Sequence, residues 1–304
     1  MKKCYLVDKE TGDVIEENYS YLEQKDRDRM KIFTEKKVKK QVFHEYQDEY
    51  LGKFVFLFFD NLKALTSVLN DTDLIAFMYI GTFVKSSDFA KGSACLKLDN
   101  NKTYINKKML SKMLGMSRPK FKELWDKLID NKLILEQDDI IYINLLYFYK
   151  GKEKDYRKTT NKKFIGEFTR LYIKTTRVLY ESTPSKSLKK YSVVYKLLPY
   201  VNWRYNILCK NIYEEDKKKL KLLTIEDIMK LTGYNTVNLT RFRKDLFSLK
   251  YDNMSIFGRF NDTANNKNDM ILVNPLFYHR GSDLNELNFL ANLFGIRAKR
   301  NENI

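Results

Sequence analysis

The chain has 304 residues, of which 43% are hydrophobic and 14% aromatic, with only four prolines and eleven glycines. This length suits two domains, and the composition excludes a disordered chain and a turn-rich all-β fold. A formal charge of +17 and a pI near 9.4 point to a polyanionic partner. Nucleic acid is the first candidate and an anionic membrane surface the second, although a general bias toward lysine would supply part of the excess.

Missing residue patterns argue against several classes of enzyme. The three cysteines, Cys4, Cys95 and Cys209, lack CxxC spacing, so we expect neither a disulfide framework nor a zinc cluster, and a reducing cytoplasm fits. The two histidines, His44 and His279, lie far apart, so the sequence has no nickase metal site, HExxH motif or His-based triad. A GxxxxGK[ST] phosphate loop is also missing. We therefore expect no catalysis, cofactor or metal, although a tyrosine nuclease remains open among 21 tyrosines.

The sequence shows no signal for export or for membrane insertion. Its first residues lack the apolar run of a signal peptide, and its longest apolar stretch, Phe54 to Phe59, is too short to span a bilayer. We expect a cytoplasmic protein without a membrane partner.

An internal repeat organises the chain. Residues 140–151 and 270–281 both read as an apolar strand that ends in an aromatic run, a base and a glycine. Upstream, residues 105–117 align with residues 223–235. The sequence therefore predicts two copies of one structural unit.

Each copy carries the pattern of a helix-turn-helix. A polar cap, Asn106 or Thr224, opens a short helix, and Gly115 or Gly233 ends it. A second helix starts two residues after the glycine. Its apolar face has helical spacing in both copies: Phe121, Leu124 and Leu128, then Leu239, Phe242 and Leu246.

A β-hairpin should follow each helix pair. In the first copy the strands are 133–135 and 140–148, and in the second they are 255–257 and 270–278 around a longer loop. Further helices are predicted at Asp71 to Phe83 and Leu188 to Val201. The expected fold is mainly α with small β-hairpins, an α+β class, with two tandem winged helix-turn-helix domains joined by a basic helical connector. The predicted boundaries are a partly ordered N-terminal extension at 1–52, winged domains at 53–151 and 187–283, the connector at 152–186 and a C-terminal helix or tail at 284–304.

The connector concentrates positive charge. Between Lys150 and Lys190 there are thirteen Lys or Arg residues against four Asp or Glu. Helical spacing predicts one helix over Phe164 to Tyr180, with Arg170, Lys174 and Arg177 in a basic stripe.

Three short motifs stand out in the sequence: the opening Asp8-Lys-Glu-Thr-Gly12-Asp-Val, the segment Gly52-Lys-Phe-Val55, and Asn274-Pro275 followed by Arg280-Gly281. They resemble motifs of the RepL-type plasmid replication initiators of firmicutes and of related winged-helix proteins of their phages. The first copy departs from the closing motif, with Leu145 for proline and Lys150 for arginine. The resemblance implies an origin-binding or operator-binding role on a mobile element.

Polar and basic side chains at the start of each second helix are the candidate DNA contacts. The alternative interpretation is that these side chains form a solvated polar face and contact no DNA. The second hairpin adds basic and amide side chains, whereas the first hairpin tip is acidic and is expected to avoid phosphates. The full set of candidates is Ser117, Arg118, Lys120, Lys122, Arg170, Lys174, Arg177, Asn235, Thr236, Asn238, Thr240, Arg241, Arg259 and Lys267.

Three functions remain open from the sequence. The first is a replication initiator that binds repeated origin sites in double-stranded DNA, and the second is a transcriptional regulator that binds an operator. The third is an architectural or partition adaptor that recruits another protein through its acidic hairpin and its apolar N-terminal region. Host replication or transcription proteins and a second copy of the chain are further candidate partners.

Overall fold

The computed structural model describes residues 5–17, 24–90, 93–151, 156, 168–261 and 269–296. The fold mixes α-helices with small antiparallel sheets, and the α+β class predicted from the sequence is confirmed at this level. The chain divides into two compact units, Met1–Tyr46 and Gln47–Ile304.

The first unit contains a short hairpin and most of one long helix. Strands β1 (Tyr5–Val7) and β2 (Val14–Glu17) pair in antiparallel fashion. In the turn, the Asp8 carboxylate accepts hydrogen bonds of 2.8 and 3.2 Å from the N–H groups two and three residues later. The Asp8 to Gly12 motif therefore forms a local turn. Helix α1 (Gln24–Tyr50) continues into the second unit.

Ten helices and eleven strands make up the described part of the second unit. The helices are α2 (Phe59–Val68), α3 (Asp71–Gly81), α4 (Lys107–Leu114), α5 (Arg118–Asp130), α6 (Ile173–Ser182), α7 (Ser185–Leu188), α8 (Ser192–Leu197), α9 (Ile225–Thr232), α10 (Leu239–Ser248) and α11 (Leu284–Leu293), besides the end of α1. The strands are β3 (Phe54–Phe58), β4 (Val84–Ala90), β5 (Ser93–Leu96), β6 (Ile134–Gln137), β7 (Ile140–Asn144), β8 (Phe148–Tyr149), β9 (Phe168–Tyr172), β10 (Lys250–Tyr251), β11 (Met254–Ser255), β12 (Phe257–Asn261) and β13 (Asp269–Val273). None of the described helices combines the length and hydropathy needed to cross a bilayer.

The predicted hairpin of the first copy is part of a four-stranded sheet with the order β4-β5-β7-β6. Its two-residue turn has positive φ at both Asp138 (52°) and Asp139 (57°), as a type I′ hairpin requires. The sequence predicted β6 and β7 but not β5, the strand that lies beside β7.

The second copy repeats this arrangement with fewer paired residues. Strands β12 and β13 form the hairpin, and the segment 206–208 lies along the other edge of β13. There the N–H of Leu208 donates to the carbonyl of Ile271 at 2.9 Å, and the N–H of Val273 donates to the carbonyl of Asn206 at 2.8 Å. The neighbour order is thus the same as for β5, β7 and β6.

Equivalent asparagines close the two hairpins with the same hydrogen bonds. Asn144 accepts from the N–H of Leu146 and donates to the carbonyl of Lys132, both at 2.9 Å. Asn274 accepts from the N–H of Leu276 and donates to the carbonyl of Ser255, again both at 2.9 Å. These bonds fix where the chain leaves the second hairpin strand, so the repeat read from the sequence is also a repeat of backbone geometry.

The two copies share one core. Helix α3 is buried from Asp73 to Gly81 and packs against α6, α8 and the turn at Lys189–Tyr191. A helix of the first copy therefore stabilises the second copy as well, and Gln47–Ile304 forms one compact unit.

Three predicted helices differ from the structure. The connector helix was expected from Phe164, but residues 168–172 form strand β9, paired along its whole length with β3, and the helix begins only at Ile173. Alternating burial of these residues matches a strand, and β3 gains a second hydrogen-bonded neighbour. Residues 157–167 lie outside the described part.

The other two differences arise from local breaks. The helix predicted over Leu188 to Val201 is divided into α7, α8 and two 3₁₀ turns, and Pro199, which has no N–H to donate, lies in the last turn. The second helix of the second copy begins at Leu239 rather than after Asn235, because a 3₁₀ turn at Thr236–Asn238 precedes it.

Candidate nucleic-acid interface

The first helix pair is held by a side-chain cap and by an apolar inner face. The Asn106 side chain accepts a 2.9 Å bond from the N–H of Met109, and α4 ends at Gly115 with φ of 60°. At this φ a side chain would strain the backbone, so glycine permits the tight turn. The Lys107 ammonium lies 4.3 Å from the centre of the Trp125 ring on the facing helix. The buried face of α5 consists of Phe121, Leu124, Trp125 and Leu128.

This packing leaves the start of α5 in solvent. Ser117, Arg118, Lys120 and Lys122 are all exposed. The Lys122 ammonium forms a 3.0 Å ion pair with Asp126, one turn further along. The other three side chains form no hydrogen bond with any described residue, so their donors are available to a ligand.

A cleft of about 480 Å³ adjoins this helix start, between the Gly115 turn, the first turn of α3 and the region of Lys189. Its aspartates already have internal partners. Asp73 pairs with Lys127 at 2.8 Å, and Asp71 pairs with Lys196 at 2.6 Å. Two exposed lysines on its rim, Lys120 and Lys189, form no ion pair with a described residue. Sequence reasoning did not single out Lys189, because only the fold brings it beside the turn.

The second helix pair begins with a capping box. Thr224 and Asp227 exchange side-chain to backbone bonds of 3.1 Å, and α9 ends at Gly233 with φ of 77°. The side-chain oxygen of Asn235 already accepts a 3.1 Å hydrogen bond from the N–H of Val237. The backbone of Thr236 lies in the same turn.

Helix α10 then presents further candidates to solvent. Asn238, Thr240 and Arg241 are exposed, and the Arg241 side chain retains 82% of its accessible surface with only a 3.9 Å approach to Asp245. Asn238 forms no side-chain cap with the helix that it precedes. These three side chains can reach a partner without breaking an internal hydrogen bond.

One apolar residue of this surface was missed by the sequence reasoning. Val237 is 81% exposed in the 3₁₀ turn that precedes α10. Exposed valine has no packing role, and apolar side chains at the start of a recognition helix contact thymine methyl groups in other complexes. In the sequence, the signal that identifies Val237 is its position two residues after the Asn235 cap.

The two glycine turns lie beside the same end of α3. The Lys196 ammonium contacts the Asp71 carboxylate at 2.6 Å and the carbonyl of Thr232, next to Gly233, at 2.9 Å. Asp71 also lines the cleft next to Gly115. The exposed helix starts that follow the two turns are therefore neighbours in one compact unit.

Both hairpins bind residues of their own copy. The acidic tip of the first hairpin is tied back, because Asp139 accepts a 3.1 Å bond from Asn106. In the second hairpin, Asp269 pairs with Arg259 at 2.7 Å and with Arg243 at 2.6 Å. Arg259 therefore shares the Asp269 carboxylate with Arg243. Lys267 lies outside the described residues.

The basic stripe predicted on the connector is not formed. Arg170 lies on β9 and donates to the carbonyls of His279 at 3.0 Å and Gly281 at 3.2 Å. Arg177 lies on α6 and binds Thr82 and Asp99, its closest contact being 2.6 Å to the Asp99 carboxylate. Both guanidinium groups hold the fold together, and of the predicted stripe only Lys174 is exposed.

Two of the three residues of the aromatic run at the end of the first copy are packed in the core, and Tyr147 is half-buried. Phe148 and Tyr149 are fully buried. His279, at the equivalent place in the second copy, is also buried, and burial followed by the charge of Arg170 lowers its pKa from 6.5 to about 3. It is therefore neutral at physiological pH.

Comparisons of this chain with family models, with curated proteins and with solved structures found no match.

Proposed function

We propose that the chain is a sequence-specific double-stranded DNA-binding protein built from two winged helix-turn-helix units. The order of elements supports this proposal. In the first copy the chain runs α3, β4, β5, α4, α5, β6, β7, and the sheet order includes β5-β7-β6. In the second copy it runs α8, segment 206–208, α9, α10, β10, β11, β12, β13, and the segment, β13 and β12 are the equivalent neighbours. A helix pair that is followed by a hairpin and preceded by a strand and a further helix is the arrangement that the proposal requires.

The observation that carries the proposal is the chemistry of the two exposed helix starts. An α-helix fits the major groove of B-DNA, and the residues of its first turns reach the base edges. Here Arg118 and Lys120 follow one glycine turn, while Asn238 and Arg241 follow the other, and all four are exposed. Lysine and arginine bind phosphates, and asparagine and arginine also pair bidentately with adenine and guanine.

The proposed biological role is initiation of replication at repeated origin sites of a plasmid or phage. Two units in one chain suit a site with repeated elements, and the motif resemblance to plasmid initiators points the same way. The alternative is a transcriptional regulator that binds an operator. An adaptor role through the acidic hairpin is less favoured, because Asp139 is engaged by Asn106.

Selection of bound fragments from fragmented genomic DNA tests this proposal directly. We expect enrichment of a defined duplex site, and an affinity that falls steeply between 50 and 200 mM salt, typical of proteins that contact several phosphates. Recovery of repeats beside the gene would favour initiation, and recovery of a promoter would favour regulation. Uniform recovery of all fragments, or binding insensitive to salt, would contradict sequence-specific duplex binding.

A further inference from the structure

A second cleft, which shares no lining residue with the cleft beside the Gly115 turn, lies where β3, β4 and the first turns of α6 meet. Its volume is about 640 Å³, within the range of small-molecule sites. Basic side chains outnumber acidic ones among the residues that line it. The basic residues are Lys53, Lys85, Lys150, Lys174 and Arg177, and the acidic residues are Asp48 and Asp99.

Described residues balance only part of this positive charge. The Asp99 carboxylate pairs with two basic side chains, since it lies 2.6 Å from Arg177 and 3.8 Å from Lys85. The ammonium groups of Lys53, Lys150 and Lys174 form neither an ion pair nor a hydrogen bond with any described residue. The cleft thus holds more cations than its carboxylates can neutralise.

Crowding of like charges affects the buried lysines. Burial lowers the pKa of Lys150, and the positive charges of Lys85, Lys53 and Arg177 lower it further. Burial likewise lowers the pKa of Lys85, with a smaller opposite contribution from Asp99. Both groups would gain from a counter-charge in the cleft, because an anion stabilises their protonated form.

We propose that this cleft binds the phosphate group of a ligand, with Lys53, Lys150 and Lys174 as its direct contacts. Phosphate oxygens accept short charge-assisted hydrogen bonds from ammonium groups. Arg177 is held by Thr82 and Asp99, so it contributes its charge without leaving its internal partners. The phosphate can belong to a small molecule such as a nucleotide or to the backbone of bound DNA.

Thermal unfolding with inorganic pyrophosphate tests the site, with sodium chloride added to hold the ionic strength constant. We expect pyrophosphate to raise the melting temperature of the wild-type protein. Lys174→Gln and Lys150→Gln should each weaken its apparent affinity about tenfold, the effect of losing one charge-assisted hydrogen bond. Lys186→Gln is the matched control, because it removes an exposed lysine of α7 that does not line the cleft and should leave the affinity unchanged.

A second readout separates loss of binding from loss of folding. Lys150→Gln removes a partly buried charge that its neighbours repel, so this variant should melt at a higher temperature than the wild type when no pyrophosphate is present. Higher stability together with a smaller pyrophosphate response is the signature of an anion site. Lower stability of Lys150→Gln without pyrophosphate would contradict the charge excess on which the site depends.

Binding of a 20-base-pair duplex identifies the source of the phosphate. If pyrophosphate competes with the duplex and Lys174→Gln weakens duplex binding, the cleft holds a phosphate of the DNA backbone. If pyrophosphate binds without affecting the duplex, or binds when no duplex does, the ligand is a small phosphate-bearing molecule and the result is independent of the proposed DNA-binding function. Absence of a pyrophosphate response together with unchanged duplex affinity of the cleft variants would overturn the proposal.

Discussion

The two copies of the repeat, which lie in the predicted domains 53–151 and 187–283, differ far more in their exposed side chains than in their backbones. In both copies the strand before the helix pair accepts a hydrogen bond from the residue before the cap, at 2.9 Å from Ile105 to Leu96 and at 3.1 Å from Leu223 to Leu208. In both, an asparagine side chain closes the hairpin with two bonds. The side chains that face solvent share no such pattern.

The first copy exposes basic side chains, whereas the second copy exposes amide side chains and an arginine. Arg118, Lys120 and Lys122 begin α5, beside a hairpin whose tip is acidic. The second copy instead exposes Asn238 and Arg241, side chains able to pair with base edges. Backbone hydrogen bonds and core contacts constrain the scaffold of both copies, whereas the exposed positions are free to differ. We therefore expect the first copy to contact mainly phosphates and the second to read bases.

Among the differences between the copies, a buried histidine in the second copy has the largest expected effect on the stability of the shared unit. The second copy has buried His279 where the first has buried Tyr149. Unfolded histidine binds a proton near pH 6.5, but in the folded protein its pKa is about 3. Between these values the unfolded state holds one more proton, so the free energy of unfolding should decrease as the pH falls below about 6.5, by up to about 1.4 kcal/mol per pH unit.

Urea unfolding at several pH values between 7 and 4 measures this dependence. His279→Gln cannot take up the proton, so the variant should lose this part of the slope while its carboxylates still titrate. Identical slopes for the two proteins would contradict a buried neutral histidine.

The two hairpin asparagines should differ in their contribution to stability. Asn274 is fully buried, whereas Asn144 is partly exposed. Asn274→Ala removes the partners of the buried N–H of Leu276 and of the part-buried carbonyl of Ser255, and it should lower the free energy of unfolding by about 3 kcal/mol. At Asn144 water can replace the lost bonds, so Asn144→Ala should cost about 1 kcal/mol. Equal losses in urea unfolding would show that burial does not distinguish the two copies.

Base reading by the second copy predicts a specific pattern of binding defects. Asn238→Ala and Arg241→Ala should each weaken binding to the selected site by about 1 to 3 kcal/mol and relax the preference at one base pair. Thr240→Ala, an exposed neighbour on the same helix, is the control and should have a smaller effect. Competition between the selected site and its single-base variants measures the preference. A uniform loss over all duplexes would place base reading elsewhere.

The sequence predicted the features that depend on local pattern. The caps at Asn106 and Thr224, the glycine turns and the apolar face of α5 are all read from spacing within one element, and the structure confirms them. The repeat itself was visible because it aligned two such patterns.

Features that depend on distant partners could not be read in this way. Residues 168–172 have helical spacing, but β3, more than 100 residues earlier, pairs with them as a strand. Arg170 and Arg177 look like an exposed stripe until the carbonyl of His279 and the carboxylate of Asp99 are found beside them. Lys189 becomes a candidate contact only because the fold places it near the Gly115 turn. Charge counts along the sequence therefore overstate the surface available to DNA.

The smallest expected effect tests how the first copy contacts phosphates. The Lys120 ammonium has no ion pair with a described residue, whereas that of Lys122 already pairs with Asp126 at 3.0 Å. Lys120→Ala should weaken binding to all duplexes alike and reduce the slope of log affinity against log salt by about one, since one phosphate contact and its released counterion are lost. Lys122→Ala should reduce the slope by less, because its ammonium must leave Asp126 to reach a phosphate. Lys102→Ala, which removes an exposed lysine from the turn before α4, should leave the slope unchanged. Titrations at four salt concentrations with the selected site and a scrambled duplex measure both quantities. A change in base preference on Lys120→Ala would instead assign base reading to the first copy and reverse the proposed division between the two.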